Sequence, residues 1–130
     1  MRVLHEVPRV LVVDDNEDAA KALATYLSYE GVEARSANGC DEALACVKDW
    51  VPDVVVLDIM MPGRDGYETA SALRSYLPTP SLGIVAFTSL DEEHVRETGR
   101  GRHNFDGYCQ KGTAPNVLLA LMRTLWRERN

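Results

Sequence analysis

The sequence of 130 residues contains no apolar run near the roughly 20 residues needed to cross a bilayer. Residues 1–8 also show no apolar core of a signal peptide. The net charge is −6 and the sequence pI is about 5.0, so the chain lacks the general basic surplus that binds a phosphate backbone. We therefore expect no membrane and no direct nucleic-acid partner.

Paired cysteines are absent as well. Cys40, Cys46 and Cys109 are odd in number and form no C-x-x-C pair, which favours free thiols in a reducing compartment over a disulfide framework. Cys109 has apolar neighbours and is predicted to be a packed core thiol. These features predict a cytoplasmic protein.

Two short apolar runs, 10–13 and 54–57, are each followed directly by acids. Such runs are typical of strands buried on both faces of a parallel sheet. A parallel sheet gathers its ligands at the carboxyl ends of its strands, where Asp14, Asp15 and Asp58 would meet. Three carboxylates repel one another unless a cation or a proton joins them. They predict a divalent-metal site with one carboxylate free for chemistry.

Strand and helix patterns alternate along the whole chain. The predicted strands are 9–13, 32–37, 53–57, 82–87 and 106–110. The predicted helices are 16–30, 41–49, 66–76, 91–98 and 113–126. Five βα units in series predict an α/β, flavodoxin-like, doubly wound five-stranded parallel sheet of order 2-1-3-4-5, with helices on both faces. Strand two belongs at an edge, because Arg35 could not be buried in the interior.

One domain accounts for this pattern at the usual domain size. We assign residues 1–8 to an N-terminal extension, 9–126 to the domain and 127–130 to a C-terminal tail. Candidate helix caps are Asn38 or Asp41 for the second helix and Thr113 for the last.

Five elements, in order, match one family. They are an acidic pair after strand one, the loop D-x-x-M-P-x-x-D-G over 58–66, a hydroxyl residue ending strand four, a strand-five aromatic, and a lysine three residues later. The residues are Asp14, Asp15, Asp58, Thr88, Tyr108 and Lys111. Over nearly its whole length the chain resembles the receiver domain of two-component response regulators.

The resemblance implies a Mg²⁺ site, with Mn²⁺ as an alternative ion. Asp15 and Asp58 would ligate the ion directly, the Met60 backbone carbonyl would be a third protein ligand, and Asp14 would act through coordinated water. Carboxylate, carbonyl and water oxygens are the ligands that Mg²⁺ prefers.

The resemblance also implies a phosphorelay function. Asp58 would accept a phosphoryl group from a histidine kinase or a histidine phosphotransfer protein and form an aspartyl phosphate. Lys111 and Thr88 would contact the phosphoryl oxygens. Thr88 and Tyr108 would then switch a surface of helix four, strand five and helix five that binds a downstream protein. Only self-phosphorylation and self-dephosphorylation are expected, so the chain is not predicted to be an enzyme.

Two segments depart from the family pattern. Gly112 stands where the family usually has a proline, often after a cis bond. Because a cis bond before a non-proline residue costs about 2.5–4 kcal/mol, we predict a trans Lys111–Gly112 bond and a rearranged loop.

Residues 99–104 contain two glycines, two arginines and a histidine. They predict a short or frayed fourth helix, and either a solvated loop or a partner-specific basic patch.

Two other functions remain open. The first is a scaffold module that works without phosphorylation. The second is an aspartate-nucleophile phosphatase; such enzymes show D-x-D-x-T after strand one, whereas residues 14–18 read D-D-N-E-D. His5, His94 and His103 show no metal-ligand spacing. The sequence also contains no recognisable histidine-kinase segment. The phosphoryl group must then come from another protein or from a small acyl phosphate. The chain could be a stand-alone regulator or a part of a larger hybrid kinase.

Overall fold

A computed structural model describes residues 6–77, 81–97 and 104–129 of the protein. Strands and helices alternate through all of these residues. In chain order the elements are β1 (Arg9–Val13), α1 (Glu17–Tyr29), β2 (Glu33–Ala37), α2 (Cys40–Cys46), β3 (Val54–Leu57), α3 (Gly66–Tyr76), β4 (Gly83–Thr88), α4 (Glu92–Glu97), β5 (Gly107–Gln110) and α5 (Pro115–Arg129).

The strands form one parallel sheet of order β2-β1-β3-β4-β5, which confirms the predicted topology. The central strands β1 and β3 are adjacent, and Val13 pairs with Leu57 at the end of their shared ladder. Since Asp14 and Asp58 are the next residues in their strands, the register alone brings these two acids side by side.

Helices cover both faces of the sheet, as predicted. On one face, side chains of α1 and α5 such as Leu27 and Met122 pack with Val10 and Val12. On the other, side chains of α2 and α3 such as Ala43 and Leu73 pack with Leu11 and Val13. All four residues of β3 are buried. Each buried Val or Leu side chain contributes about 1.5–3 kcal/mol, so the apolar runs that flank the acids also stabilise the fold that positions them.

Strand β2 lies at the edge of the sheet, and Arg35 is exposed there, in agreement with the prediction. The Arg35 guanidinium lies 4.7 Å from the centroid of the Trp50 ring. The Trp50 indole Nε1 donates a hydrogen bond of 3.1 Å to Glu33. Charged side chains such as Glu33 and Arg35 on an edge strand disfavour pairing with another strand.

The amino-terminal ends of β4 and β5 are held by one arginine. Arg74 of α3 donates to the carbonyl oxygens of Leu82 (2.6 Å) and Asn104 (2.8 Å) and to the Asp106 carboxylate (2.6 Å). The same Asp106 oxygen, Oδ2, accepts a bond of 2.8 Å from the Ile84 amide, and the Asp106 amide donates back to the Ile84 carbonyl at 2.7 Å. Strand β5 is therefore anchored at its start to both α3 and β4.

Several helix ends differ from the sequence prediction. Helix α2 begins at Cys40 with Gly39 as its N-cap and no capping side chain, so the predicted caps Asn38 and Asp41 are wrong. It also ends at Cys46, before the predicted residue 49. Its short length leaves little of the periodic pattern from which caps are inferred.

The last helix also starts and ends later than predicted. Helix α5 begins at Pro115, which suits the first helical position because its missing N–H would be unpaired there anyway. Thr113 lies two residues before this start, so its predicted role as N-cap is wrong. The helix continues to Arg129, past the predicted end at residue 126.

Helix α4 runs over Glu92–Glu97 and is capped by Asp91, whose carboxylate accepts from the His94 amide at 2.7 Å. Residues 98–103 lie outside the described residues, so the predicted fraying of this helix and the proposed basic patch stay predictions.

The three cysteines are free and Cys109 is buried, as predicted; Cys40 is buried as well. Within the described ranges, no helix combines the length and apolarity that a membrane span requires.

Candidate functional site

The three predicted acids meet at the carboxyl end of the sheet. Carboxylate oxygens of Asp14, Asp15 and Asp58 all lie within 4.8 Å of one another. Asp14 and Asp58 are buried, with exposed fractions of 4% and 6%, whereas Asp15 is exposed. The cluster therefore has two fixed carboxylates and a third at its solvent side.

Local backbone bonds orient the two buried carboxylates in the same way. Asp14 Oδ1 accepts from the Asn16 amide at 2.9 Å, and Asp58 Oδ1 accepts from the Met60 amide at 3.2 Å. In both cases the donor is the amide two residues on, as in an Asx turn. Each Oδ1 is thus occupied by the loop, and each Oδ2 is left to face the other carboxylates.

Lys111 bridges the two remaining oxygens. Its Nζ lies 2.7 Å from Asp14 Oδ2 and 3.1 Å from Asp58 Oδ2. The backbone amide of Lys111 donates to the Thr88 carbonyl at 2.8 Å, which continues the β4–β5 ladder by one residue. One ammonium is therefore shared between two acids that are far apart in sequence.

The electrostatics of the cluster favour a cation. Burial raises the pKa of the Asp58 carboxyl, and this outweighs the opposite effect of Lys111; the charge of Asp14 raises it further. Burial by itself lowers the pKa of Lys111, but the hydrogen bond to Asp14 and the charges of Asp58 and Asp14 raise it overall. Three carboxylates against one ammonium leave two negative charges when all are ionised. The donor set, all carboxylate oxygen, fits a hard divalent cation such as Mg²⁺.

Gly66 has a role in the site that the sequence pattern did not assign. Its amide donates to the Ile59 carbonyl at 2.9 Å, and a Cβ at this position would lie 2.4 Å from the Asp58 carbonyl oxygen. The preceding Asp65 caps α3 by accepting from the Glu68 amide at 2.9 Å. The Asp-Gly pair that ends the loop motif therefore starts a helix that contacts the Asp58 backbone directly.

Thr88 and Tyr108 do not contact the acids through any bond between side chains in the described part of the chain; both bind the backbone of one residue of the β4–α4 loop, Leu90. The Thr88 hydroxyl, which is fully buried, accepts from the Leu90 amide at 3.3 Å. The Tyr108 hydroxyl donates to the Leu90 carbonyl. Leu90 thus links the two residues, and nothing in its residue type could have indicated this from sequence.

Met60 lies beside Asp58, and its side chain is 59% exposed. Its amide, as described above, bonds to the Asp58 carboxylate. Ligation of a metal by its backbone carbonyl stays a prediction.

The loop after β5 confirms the predicted bond geometry. None of the peptide bonds in the described ranges is cis, so the Lys111–Gly112 bond is trans. Gly112 has a φ of +95°, which a proline, fixed near −65°, cannot adopt.

Relatives of known sequence are similar to this chain over most of its length. A probable transcriptional regulator, ycf27, from Guillardia theta is 37% identical over 122 residues, 94% of this chain and 46% of that protein. The response regulator MprA from Mycobacterium sp. (strain KMS) is 39% identical over 119 residues, 92% of this chain and 50% of that protein. The chain spans about half the length of these curated relatives.

Solved structures agree with the sequence comparison. The response regulator protein TrrA from Thermotoga maritima, crystallised in complex with Mg²⁺ and BeF, superposes with a TM-score of 0.80 at 30% identity, covering 92% of this chain and 99% of that one. The receiver domain of a Francisella response regulator gives a TM-score of 0.79 at 26% identity, covering 95% and 99%. The family model of the response regulator receiver domain matches residues 10–123. The chain therefore belongs to the response regulator receiver domain family, the receiving modules of two-component signalling.

Proposed function

We propose that this domain accepts a phosphoryl group on Asp58 in a Mg²⁺-dependent reaction, with a histidine kinase or a histidine phosphotransfer protein as donor. The observation that carries this proposal is the geometry around Lys111, whose Nζ lies 2.7 Å from Asp14 and 3.1 Å from Asp58. A shared ammonium beside a buried carboxylate is the arrangement that a transferring phosphoryl group requires, because phosphoryl transfer depends on positioning and charge neutralisation.

In the proposed reaction a carboxylate oxygen of Asp58 attacks phosphorus. A new oxygen–phosphorus bond forms as the bond from phosphorus to the donor nitrogen or acyl oxygen breaks, and that electron pair leaves with the donor. The Met60 amide donates to Asp58 Oδ1, which restrains the orientation of the carboxyl group. Lys111 is in place to bind a phosphoryl oxygen as a point charge.

Mg²⁺ would be held by Asp14, Asp15 and Asp58 with the Met60 backbone carbonyl, and Mn²⁺ is an alternative. When bound, the ion would neutralise negative charge on the phosphoryl oxygens. The crystallisation of the TrrA relative with Mg²⁺ and BeF supports this assignment, together with the acidic cluster itself.

The proposed switch acts through Leu90. The Thr88 hydroxyl accepts from the Leu90 amide, and its own proton is available for a phosphoryl oxygen. If Thr88 turns toward that oxygen, the Leu90 amide loses its acceptor, and the loop bound to Tyr108 through the Leu90 carbonyl must rearrange. The change would reach a surface of α4, β5 and α5 that binds a downstream protein. A preference of a few kcal/mol for one arrangement is enough to shift the population.

Three free cysteines support a reducing, cytoplasmic location. We propose no catalytic activity beyond the domain's own phosphorylation and dephosphorylation. Steady hydrolysis of an added phosphate ester would contradict this and favour a phosphatase.

Intact-mass measurement after incubation with Mg²⁺ and a small acyl phosphate tests the function. The wild type should gain one phosphoryl group, and chelation of Mg²⁺ should prevent the gain. Asp58→Asn should show none, whereas Asp53→Asn, a buried acid at the other end of the sheet, should behave as the wild type. No gain in the wild type, and no metal-dependent change in Tyr108 fluorescence, would leave the scaffold function instead.

A further inference from the structure

We propose that Gly112 is a positioning residue for Lys111: its left-handed backbone closes the turn that directs the ammonium at Asp14 and Asp58. This inference rests on the phosphoryl-transfer function proposed above. It assigns a role in the site to a residue that has no side chain and contacts neither acid.

Residues 110–113 form a β-turn directly after β5. The Thr113 amide donates to the Gln110 carbonyl at 3.2 Å, the bond that closes a four-residue turn. Lys111 is the second residue of this turn and Gly112, with a φ of +95°, is the third. A positive φ at the third position is the mark of a type II turn, and it requires glycine or asparagine there.

The constraint at Gly112 comes from its own backbone conformation and not from neighbouring residues. A Cβ built at this position meets nothing within 4 Å, so a larger side chain has room. What an L-residue lacks is easy access to the left-handed region. A proline could close a turn at this position in the cis form only. Glycine closes it with the trans bond that the structure contains.

The turn fixes Lys111 from both sides. Before it, the Lys111 amide is bound to the Thr88 carbonyl at 2.8 Å; after it, the Thr113–Gln110 bond closes the turn. Between these two bonds the direction of the Lys111 Cα–Cβ bond is set. A lysine has a long, flexible stem, so its ammonium reaches two specified oxygens reproducibly only if the backbone starts it in the right direction.

A matched control exists elsewhere in the chain. Gly31, which follows α1, has a φ of +85°, and a Cβ there also meets nothing within 4 Å. It carries the same kind of backbone restriction as Gly112 but has no link to Lys111. Gly31→Ala and Gly112→Ala should therefore lower the thermal midpoint by similar amounts and differ in their effect on the site.

The experiment compares phosphorylation rates at saturating Mg²⁺ over a range of acyl phosphate concentrations. Gly112→Ala should lower the limiting rate by about 10- to 100-fold, because small misplacements of a catalytic group cost up to about that much. The donor concentration at half-maximal rate should stay the same. Gly31→Ala should leave the rate unchanged. Gly112→Asn should restore much of it, since asparagine enters the left-handed region more easily than alanine.

A double-mutant cycle shows whether the effect passes through Lys111. Gly112→Ala should cost nothing further in a Lys111→Ala background. The positioning role would be overturned if the rate loss of the double variant equalled the product of the two single losses. Equal rates for Gly112→Ala and the wild type would overturn it as well.

A crystal structure of Gly112→Ala separates this role from the proposed function. Lys111 Nζ should move beyond hydrogen-bond distance of Asp58 Oδ2, from the 3.1 Å of the wild type; an unmoved ammonium would contradict the inference. If the wild type is never phosphorylated, the proposed function fails, and this distance alone decides whether Gly112 positions Lys111.

Discussion

Acids lie at both ends of the same sheet, and their partners differ. At the amino end, Asp53 Oδ2 accepts from the Arg9 amide at 2.9 Å, and Asp106 binds Arg74 together with a strand amide. At the carboxyl end, Asp14 and Asp58 face each other across a single ammonium. The amino-end acids accept bonds from amides of neighbouring strands and from Arg74. The carboxyl-end acids accept bonds from their own loops and from Lys111, and they also lie close to one another.

The contrast separates stabilising acids from functional ones. A carboxylate whose oxygens are bound by backbone amides and a guanidinium contributes to the fold, since charge-assisted hydrogen bonds are the strong ones. A carboxylate placed beside other carboxylates costs stability until a cation arrives. Burial alone cannot tell the two apart: Asp53 is 9% exposed and Asp58 is 6% exposed.

The largest loss of folding stability should come from substitution of Arg74. Arg74→Ala removes three charge-assisted bonds and leaves the Leu82 and Asn104 carbonyls without this donor, so the free energy of unfolding should fall by about 3 kcal/mol. Urea denaturation measures this. Arg74→Lys keeps the charge but cannot reproduce the planar contacts. Its free energy of unfolding should lie between those of the wild type and Arg74→Ala. A loss below about 1 kcal/mol for the alanine variant would remove the contrast between the two ends.

Asp53 should show a smaller effect of the same sign. Asp53→Ala removes the acceptor of the Arg9 amide and should lower the free energy of unfolding by about 1–2 kcal/mol. Asp53→Asn keeps an acceptor oxygen and should lose less. Equal losses in the two variants, again by urea denaturation, would show that the charge matters there rather than the hydrogen bond.

The smallest effect, and the opposite sign, is expected at Asp58. Burial first, and the charge of Asp14 as well, raise the pKa of its carboxyl. A raised pKa means that the folded state favours the protonated carboxyl, so this contribution to stability is lost as the pH rises through that pKa. At neutral pH and without Mg²⁺, Asp58→Asn should raise the free energy of unfolding by up to about 1 kcal/mol. The value is small because solvent screens the cluster.

Thermal unfolding over a pH series checks this gain. The difference between Asp58→Asn and the wild type should shrink on acidification, as the wild-type carboxyl becomes protonated. Destabilisation by the substitution at neutral pH would show that the bond to Lys111 outweighs burial and repulsion, and would bring Asp58 into line with the amino-end acids.

The sequence could predict those parts of the fold that depend on residue type along one strand. The apolar runs of β1 and β3 predicted buried parallel strands, and the acids that follow them predicted the cluster. Arg35 predicted an edge. These inferences need only periodicity and the rule that ligands gather at the carboxyl ends of parallel strands.

Features that depend on contacts between distant segments could not be predicted. Arg74 reads as an ordinary helix residue until Leu82, Asn104 and Asp106 come within its reach. Leu90 contributes to the site through its backbone N–H and C=O, groups that nearly every residue has. The sequence identifies Gly112 as a departure from the family pattern and predicts a trans bond before it, but its positive φ depends on how the chain leaves β5 toward α5.

The anchor at Arg74 has a geometric consequence for β5. The Arg74 contacts hold Asp106, the residue directly before this strand, while Tyr108 and Lys111 lie further along the chain. A change at the acids cannot slide this strand along β4 without breaking the Arg74 contacts. We expect the strand to tilt about its start instead. A displacement at the site would then grow with distance from Asp106, and the beginning of α5 would move further than any residue of β5.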